Sequence, residues 1–541
     1  MLKNRLDINT FENIRFVSSG MKFIQGQNRS QTYLFPVSLD DAIDADNEVR
    51  LIDVFVDSLK LEEFGFKTQF IENGRPAYHP ADLLKLFIYG YLNQLRSSRK
   101  LEQECKRNIE AMWLLKNLHP DHNTISNFRR DNPKAIKKVF RETVKIAKYF
   151  NLIGGTLIAG DSTKLRAQNS KKNNFNQKKI DRHLEYINNK LAEYQTALAQ
   201  NDGDKHEIQK EIKKQKQRQS EYKKLEQQLK ESGQSQISTS DPDSRHLITR
   251  NNITEVAYNA QTTVDHKHYL PIDYKMTNEN DSKAMGNMLR RAKAILHSNQ
   301  FTALYDKGYH TGSEFETANN LAIDVMVAIP TVAANAPNPE YNVQNFHFDE
   351  INDCYTCPQG ETMTTNGRWH KAKTYLFKRY TTKACKSCVA KPECSKAICG
   401  KAIQRSQYQA LVDQNKKRIN SNKNYYRKRQ QIVEHPYGTI KRQWGFSYII
   451  TKKYAQRAEA DFGLIMTAYN LRRIINIIGM KELQKYLEAI FSFLCLQIMD
   501  FKLFLSLIIQ ILYKTMKKLK SLNPRLKIKN SWKTPTIKLS F

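Results

Sequence analysis

The sequence predicts an α/β fold preceded by an all-α N-terminal domain, and three features predict it. Short apolar runs ending in aspartates recur between residues 151 and 330, apolar positions at helical spacing fill 74–150, and two stretches of different composition interrupt the strand region. The chain has 541 residues, enough for several domains, and its formal charge of +33 favours a polyanionic partner, nucleic acid being the commonest. A lysine-rich compositional bias is the plain alternative. The N-terminus, MLKNRLDINTFENIRF, has no apolar core beside a cleavage site, so no signal peptide is expected.

In the N-terminal segment, 1–65, DNEVRLIDVFVDSL reads as a helix. Residues 66–150 read as a helical DNA-binding domain. Leu83, Leu84, Leu86, Phe87, Tyr89 and Leu92 recur at helical spacing, and SSRKLEQECKRNIEAMWLL continues as a second helix capped by Ser97 or Ser98. Asn123 or Thr124 caps a short helix carrying Arg129 and Arg130, and a last helix reaches Phe150. A short basic helix after a turn suits helix-turn-helix DNA contact; a plain helical bundle with a solvated basic face fits the same residues.

A core of 151–173 and 234–340 follows. LIGGTLIAGD is a buried strand ending at Asp161, EVAYNAQTTVD and HYLPIDYKM are paired strands linked around His266–Lys267, and FTALYD and DVMVAIP are further strands, with SKAMGNMLRRAKAIL a helix between them. The first insertion, 174–233, carries an apolar seam at Ile180, Leu184, Ile187, Leu191, Tyr194 and Leu198. The seam is broken by NDGD and resumed at Ile208, Ile212, Tyr222, Leu225 and Leu229, which describes a coiled-coil-like antiparallel hairpin. The second, 341–405, holds two C-x2-C pairs, Cys354 with Cys357 and Cys385 with Cys388, followed by Cys394 and Cys399. Four thiolates suit a structural zinc ion, and Cys394 is able to replace one of the four. Cys105 and Cys495 sit in apolar helical contexts and read as core.

Asp161 and Asp306 share a context, each closing an apolar strand before a polar turn. Two carboxylates brought together repel, a divalent cation relieves that repulsion, and a third carboxylate would complete a two-metal site for phosphodiester chemistry. A turn-forming residue is the plain reading of either aspartate alone. Of their neighbours, Asp273 is expected to face solvent and Asp281 to cap a helix, with Asp265 a further acid nearby.

The ordered series GRPAYHPADLLKLFIYGYLNQLRSSRKLEQE, HNTISNFRRD, the strand with Asp161, DPDSR, YNAQTTVDHKHYLPIDYKMTNENDSKAM, YDKGYHTGSE, the cysteine segment, VEHPYGTIKRQWG and AYNLRRIINIIG resembles the DDE transposases of bacterial insertion sequences, in the branch with a Tyr-Arg-Glu-Lys signature. The likeness runs from about Gly74 to Gly479. It implies a ribonuclease H-like mixed-sheet catalytic core, completed by helices in 406–480. It makes Asp161, Asp306 and Glu434 the three acids that hold Mg2+ or Mn2+, and Lys441 the lysine that meets DNA near the reaction centre. Lys441 lies about two helical turns beyond Glu434, so both can share one face. Tyr426 and Arg429 match the signature but sit one residue further from Glu434 than its pattern, and Pro436 is placed to kink or end the helix. The implied reaction is water attack at the element's end followed by attack of the freed 3′-hydroxyl on target DNA. The implied partner is double-stranded DNA, both terminal repeats and target, bound by a homodimer in the cytoplasm at the nucleoid, away from membrane. Arg442 with Lys441 would bind backbone phosphate, Arg129 and Arg130 would help read the terminal repeats, and Trp444 would stack on a base or belong to the core. A catalytically inactive DNA-binding remnant and a metal-dependent nuclease without strand transfer fit the same residues.

Past Gly479 the likeness fades. In the tail, 481–541, AIFSFLCLQIM and LFLSLIIQILY are interrupted by Asp500 and Lys502, short of the roughly 18–20 apolar residues that a membrane span requires. The basic end reads as a DNA-contacting arm or as a read-through without function.

Overall fold

The computed structural model describes residues 38–68, 77–200, 205–249, 253–331, 336–494 and 496. Its helical part begins with α1 (Glu48–Asp57), capped by the Asn47 side chain, which accepts from the Val49 amide at 2.9 Å. There follow α2 (Leu61–Phe64), α3 (Pro80–Leu92), α4 (Ser98–Arg107), α5 (Ile109–Leu114), α6 (His122–Asp131) and α7 (Pro133–Tyr149). The single helix expected after Ser97 is two, because Asn108 takes extended backbone and its side chain caps α5. Ser97 makes no side-chain cap, and the α6 cap is Asp121 rather than Asn123 or Thr124, accepting from both of their amides.

The central sheet contains β1 (Leu157–Arg166), β4 (Arg245–Ile248), β5 (Thr254–Asp265), β6 (Pro271–Thr277), β7 (Thr302–Tyr305) and β8 (Asp324–Val327); β2 (Asn174–Phe175) and β3 (Ile237–Ser238) form a separate two-stranded ribbon. The order is β4–β5–β1–β7–β8, with β6 also on β5. β1, β5 and β6 run antiparallel, and β7 and β8 are parallel to β1. The parallel strands are entered through α10 (Met285–Leu296) and α11 (Gly312–Asn320), the crossovers that parallel pairing requires. β1 does not stop at Asp161 as expected but continues to Arg166, because β5 pairs with it along that whole length.

Both faces of the sheet are covered. Leu157, Ala159, Val264, Leu304 and Met326 pack under Ile432 and Val433, whereas Ile158, Ala260, Tyr274 and Tyr305 join the large core that includes the N-terminal helices. Apolar residues on both faces explain why the strands read as continuous apolar runs rather than alternating ones.

The first insertion is a helical hairpin, α8 (Gln177–Gln200) and α9 (His206–Ser232), rooted on the β2–β3 ribbon. Gln177 bonds to Glu226 and Gln219 to Asn188, an antiparallel register. Its apolar seam is best buried near the root, where Ile180 and Leu229 pack with Phe175. The expected break at NDGD lies outside the described residues. The second insertion is a small sheet of β9 (His347–Asp349), β10 (Cys354–Thr356), β11 (Thr362–Thr365), β12 (His370–Lys371), β13 (Leu376–Thr381) and β14 (Ile403–Ser406), with the short helix α12 (Lys391–Cys394). Its core is five residues, Phe346, Tyr355, Met363, Tyr380 and Ile403.

The chain then returns to the sheet through α13 (Gln409–Ser421) and α14 (Lys423–Gly438), and α15 (Ala455–Ile478) follows, with Leu483 and Leu487 beyond it still buried in the main core. Pro436 does not end α14. Three residues beyond it the backbone widens into a π-helical turn, Thr439–Gln443, of the kind that often marks functional sites. α15 is buried along Ala458–Leu471 and packs on α3, α6, α7 and β6, joining helical domain and sheet into one core. DPDSR caps it: Asp241 accepts from the Tyr454 amide at 3.0 Å and Asp243 from the Ala455 amide at 2.8 Å. Among the described residues no helix is long and apolar enough to cross a membrane; LFLSLIIQILY, Cys495 and the basic end lie outside them.

Candidate active site

Strand alternation puts Asp161 on the face of β1 that carries Leu157 and Ala159, and Asp306 on the face that carries Leu304. Leu157 pairs with Thr302 and Ala159 with Leu304 in the parallel register, and just past the end of this ladder Asp306 is near enough to Asp161 to act on its charge. Gly160, pointing the other way, makes room for a ring. A Cβ there would lie 2.0 Å from Cε1 of Tyr305, the residue before Asp306. Burial pushes the Asp161 carboxyl up to about 6; Arg429 pulls against this, and the neighbouring Asp306 and Asp281 add to it. A two-unit shift corresponds to roughly 3 kcal/mol between the protonation states.

α14 lies across this pair. Tyr426 donates its hydroxyl to the Tyr305 carbonyl at 2.8 Å, Arg429 pairs with Asp161 at 3.2 Å, and the Tyr437 hydroxyl meets Thr262 at 2.6 Å and the Asp161 carbonyl at 3.3 Å. Lys441, in the π-turn, donates to Thr163 at 2.9 Å. The one-residue offset of Tyr426 and Arg429 therefore does not keep them from the site. Glu434 is exposed, accepts from Gln430 at 2.9 Å, and lines a groove with Ser162, Thr163, Tyr437, Lys441 and Arg442. That groove encloses about 910 Å3. Asp161 and Asp306 are thus neighbours while Glu434 stands on the groove wall; among the described residues no three His, Cys, Asp or Glu side chains are drawn together closely enough to grip an ion as they stand.

Asp281 lies near enough to Asp161 to act on its charge, a neighbour that sequence reasoning missed. Its carboxylate does not cap a helix but turns to the sheet, taking bonds from Lys164 at 3.0 Å and from Asn259 and Gln261 at 2.7 Å each. Burial alone would raise its pKa; Lys164 and these amides hold it below the usual value. The alternation of β5, which aims Asn259 and Gln261 to one side, was the available signal. Asp273 is buried rather than solvent-facing and pairs with Arg291, and Asp265 holds the turn amides of Gly154 and Gly155.

Arg129 is displaced from its expected role. It is 4 % exposed, donates to the Tyr91 hydroxyl at 2.9 Å and the Arg96 carbonyl at 3.2 Å, and lies 3.7 Å from Asp461. A guanidinium held there does not reach a phosphate. Arg130 is on the surface, clasped by Asp131 at 2.6 Å, and Arg442 is exposed on the groove. Trp444 packs edge-on to Phe446 and Tyr469 against the core, the second of its two expected roles.

Beside the small sheet of β9 to β14, Cys357, Cys385, Cys388 and Cys394 line one small cavity. Cys354 is not among its lining residues, and Cys399 is exposed. Cys105 is buried, as expected of a core residue.

Comparison with known families gives two matches. The family model described as Transposase domain (DUF772) matches residues 37–131, and the one described as Transposase DDE domain matches residues 356–475. No curated protein and no solved structure matches the chain. Asp161 on β1 and Asp306 just after β7 lie between the two matched regions, and α14 lies inside the second.

Proposed function

Carrying both of these domains, the chain belongs with the insertion-sequence DDE transposases; from that premise we propose that it cleaves DNA at the ends of its element and joins the freed 3′-hydroxyl to target DNA. The observation that carries this reading is the closeness of Asp161 on β1 to Asp306 just past the end of β7, under a helix that brings Arg429, Tyr437 and Lys441 to the same place. The strand order, with β4 and β6 antiparallel to β5, β5 antiparallel to β1, and then β7 and β8 parallel to β1, supports assigning the sheet to the ribonuclease H-like class.

The donors suit a hard divalent cation, Mg2+ or Mn2+. Asp161 is a half-buried carboxylate near another carboxylate, with Arg429 as its counter-charge. Asp161 and Asp306 would hold the ion, with Glu434 as the third ligand after a shift of its exposed side chain. When bound, the metal activates the attacking oxygen and stabilises the leaving one. The remaining work belongs to the chain. Arg429 offsets the charge of Asp161, and Tyr437 fixes the β1 backbone under the carboxylate. Lys441 and Arg442 line the groove along which the phosphodiester backbone lies and supply affinity rather than sequence choice. Of the two arginines assigned to repeat recognition, Arg130 alone is on the surface, so that proposal rests on it.

The test incubates the full chain with Mg2+, labelled DNA bearing the element's ends and a target plasmid. Cleaved and joined products are expected. Binding without cleavage would identify an inactive remnant, and cleavage never followed by joining would identify a nuclease. Assembly as a homodimer on DNA is part of the proposal and is read from the size of the complex.

A further inference from the structure

The cysteine-bearing insertion has the character of a module stapled by an ion. Its core is five residues, too small to hold six strands by apolar burial alone. Four thiols face one cavity of about 30 Å3, near the volume of a single small occupant.

Which four they are follows from strand geometry. Along β10 successive side chains alternate, so Tyr355 and the residue two further on, Cys357, share one side while Cys354 takes the other. Tyr355 belongs to the buried core of the module, Cys357 packs against it, and Cys354 does neither. The nearer C-x2-C spacing is therefore not a knuckle. Its second cysteine lines the cavity, and its first, in register with Asp349 of β9, does not. The place this leaves is filled by Cys394 at the end of α12, which packs on the same core. Cys385 and Cys388 come from the turn between β13 and α12 and face the cavity together.

Two further features suit an anionic centre. Lys401, only 7 % exposed, lines the cavity with its ammonium over the Phe346 ring at 5.9 Å, a buried cation without a carboxylate partner in the ion pairs of the described residues. Gly400 has φ +84°, and a Cβ on it would lie 2.3 Å from that of Cys385, so the chain closes over this thiol only because the residue is glycine. The sulfurs stand around the cavity rather than at coordination distance; rotation between staggered χ1 wells is the movement that would close them.

We propose that Cys357, Cys385, Cys388 and Cys394 bind one thiolate-preferring divalent ion of the zinc type, with Cys354 and Cys399 outside the site and Lys401 offsetting the net negative charge of the tetrathiolate. The ion fixes the fold of residues 336–406, and this inference does not depend on the DNA chemistry.

The experiment purifies the full chain under reducing conditions, dialyses it against buffer containing zinc and then against metal-free buffer, and counts bound zinc by elemental analysis. The expected content is about one zinc per chain in the wild type, as one tetrahedral tetrathiolate site requires. Cys354→Ser and Cys399→Ser are expected to keep it and Cys394→Ser to lose it. A chelator should open 336–406 to protease in the wild type and in Cys354→Ser alike, a readout that does not need Cys394→Ser to fold. Zinc lost from Cys354→Ser, or retained by Cys394→Ser, would overturn the assignment. So would a wild type that takes up no zinc, or one in which these thiols are paired as disulfides after reduction and dialysis.

Discussion

At the scale of single residues the site is decided by which way a side chain points. Gly160 and Asp161 are neighbours in sequence with opposite duties, one leaving room for the Tyr305 ring and the other presenting a carboxylate beneath α14. Gly160→Ala should lower stability by about 2 kcal/mol or more, the usual cost of overpacking a closed core, and a thermal melt would register it. The Asp161 carboxyl, raised to about 6 by burial, leads to a pH prediction. A carboxyl whose folded pKa exceeds its unfolded one stabilises the metal-free fold at low pH, and that contribution is lost as pH rises from about 4 through about 6. The same proton competes with metal, so Mn2+ affinity measured by calorimetry should fall about tenfold per pH unit below 6 and level off above 7. Spacing in sequence showed Asp161 and Asp306 as candidates because each follows an apolar run. It misjudged Asp273 and Asp281, whose directions depend on neighbouring strands that a linear pattern does not display.

At the scale of elements, α15 is the beam on which the rest is hung. Its buried Asp461 takes a charged bond from Arg96 at 2.6 Å, another bond from the Tyr91 hydroxyl and the Ile450 amide at 2.9 Å, with Arg129 close by. The surrounding cations and donors keep this carboxyl below its usual range against the opposing effect of burial. Removing it strands two buried guanidinium groups, so Asp461→Ala should cost about 3–5 kcal/mol in denaturant unfolding. Arg129→Ala should likewise lower stability while leaving the salt dependence of DNA binding unchanged. The hairpin is an independent element. Replacing 177–232 with a short linker across the β2–β3 ribbon should leave the far-UV spectrum of the core native-like and abolish the DNA-dependent dimer; retention of the dimer would place the contact elsewhere. Most of these elements were legible in the sequence: five core strands, the hairpin seam and the long helices. The break at Asn108 and the extension of β1 were not, because a helix-compatible asparagine and a polar strand end carry no periodic signal, and tertiary pairing settled both.

At the scale of the whole molecule, a +33 chain presents a groove lined by Lys441 and Arg442 beside the paired aspartates. Binding that neutralises about six phosphates should lose on the order of a thousandfold in affinity between 50 and 200 mM salt, measurable by fluorescence anisotropy. Charge pointed to this partner at once, but the chemistry emerged only where two distant strands and a helix from the far end of the chain meet. Glu434 shows the limit most clearly. Nothing in its local pattern marks it as the third acid that the family resemblance proposes, and it lines the groove because α14 runs along β1.

The most direct test of the whole account compares Asp161→Asn, Asp306→Asn and Glu434→Gln with the wild type in the Mg2+-dependent cleavage and joining reaction, alongside DNA affinity. Each variant should bind DNA within a few-fold of wild type and lose cleavage by about a thousandfold or more, since each removes a ligand from a site that works as a unit. A Glu434→Gln protein that cleaves and joins at the wild-type rate would contradict the site as described.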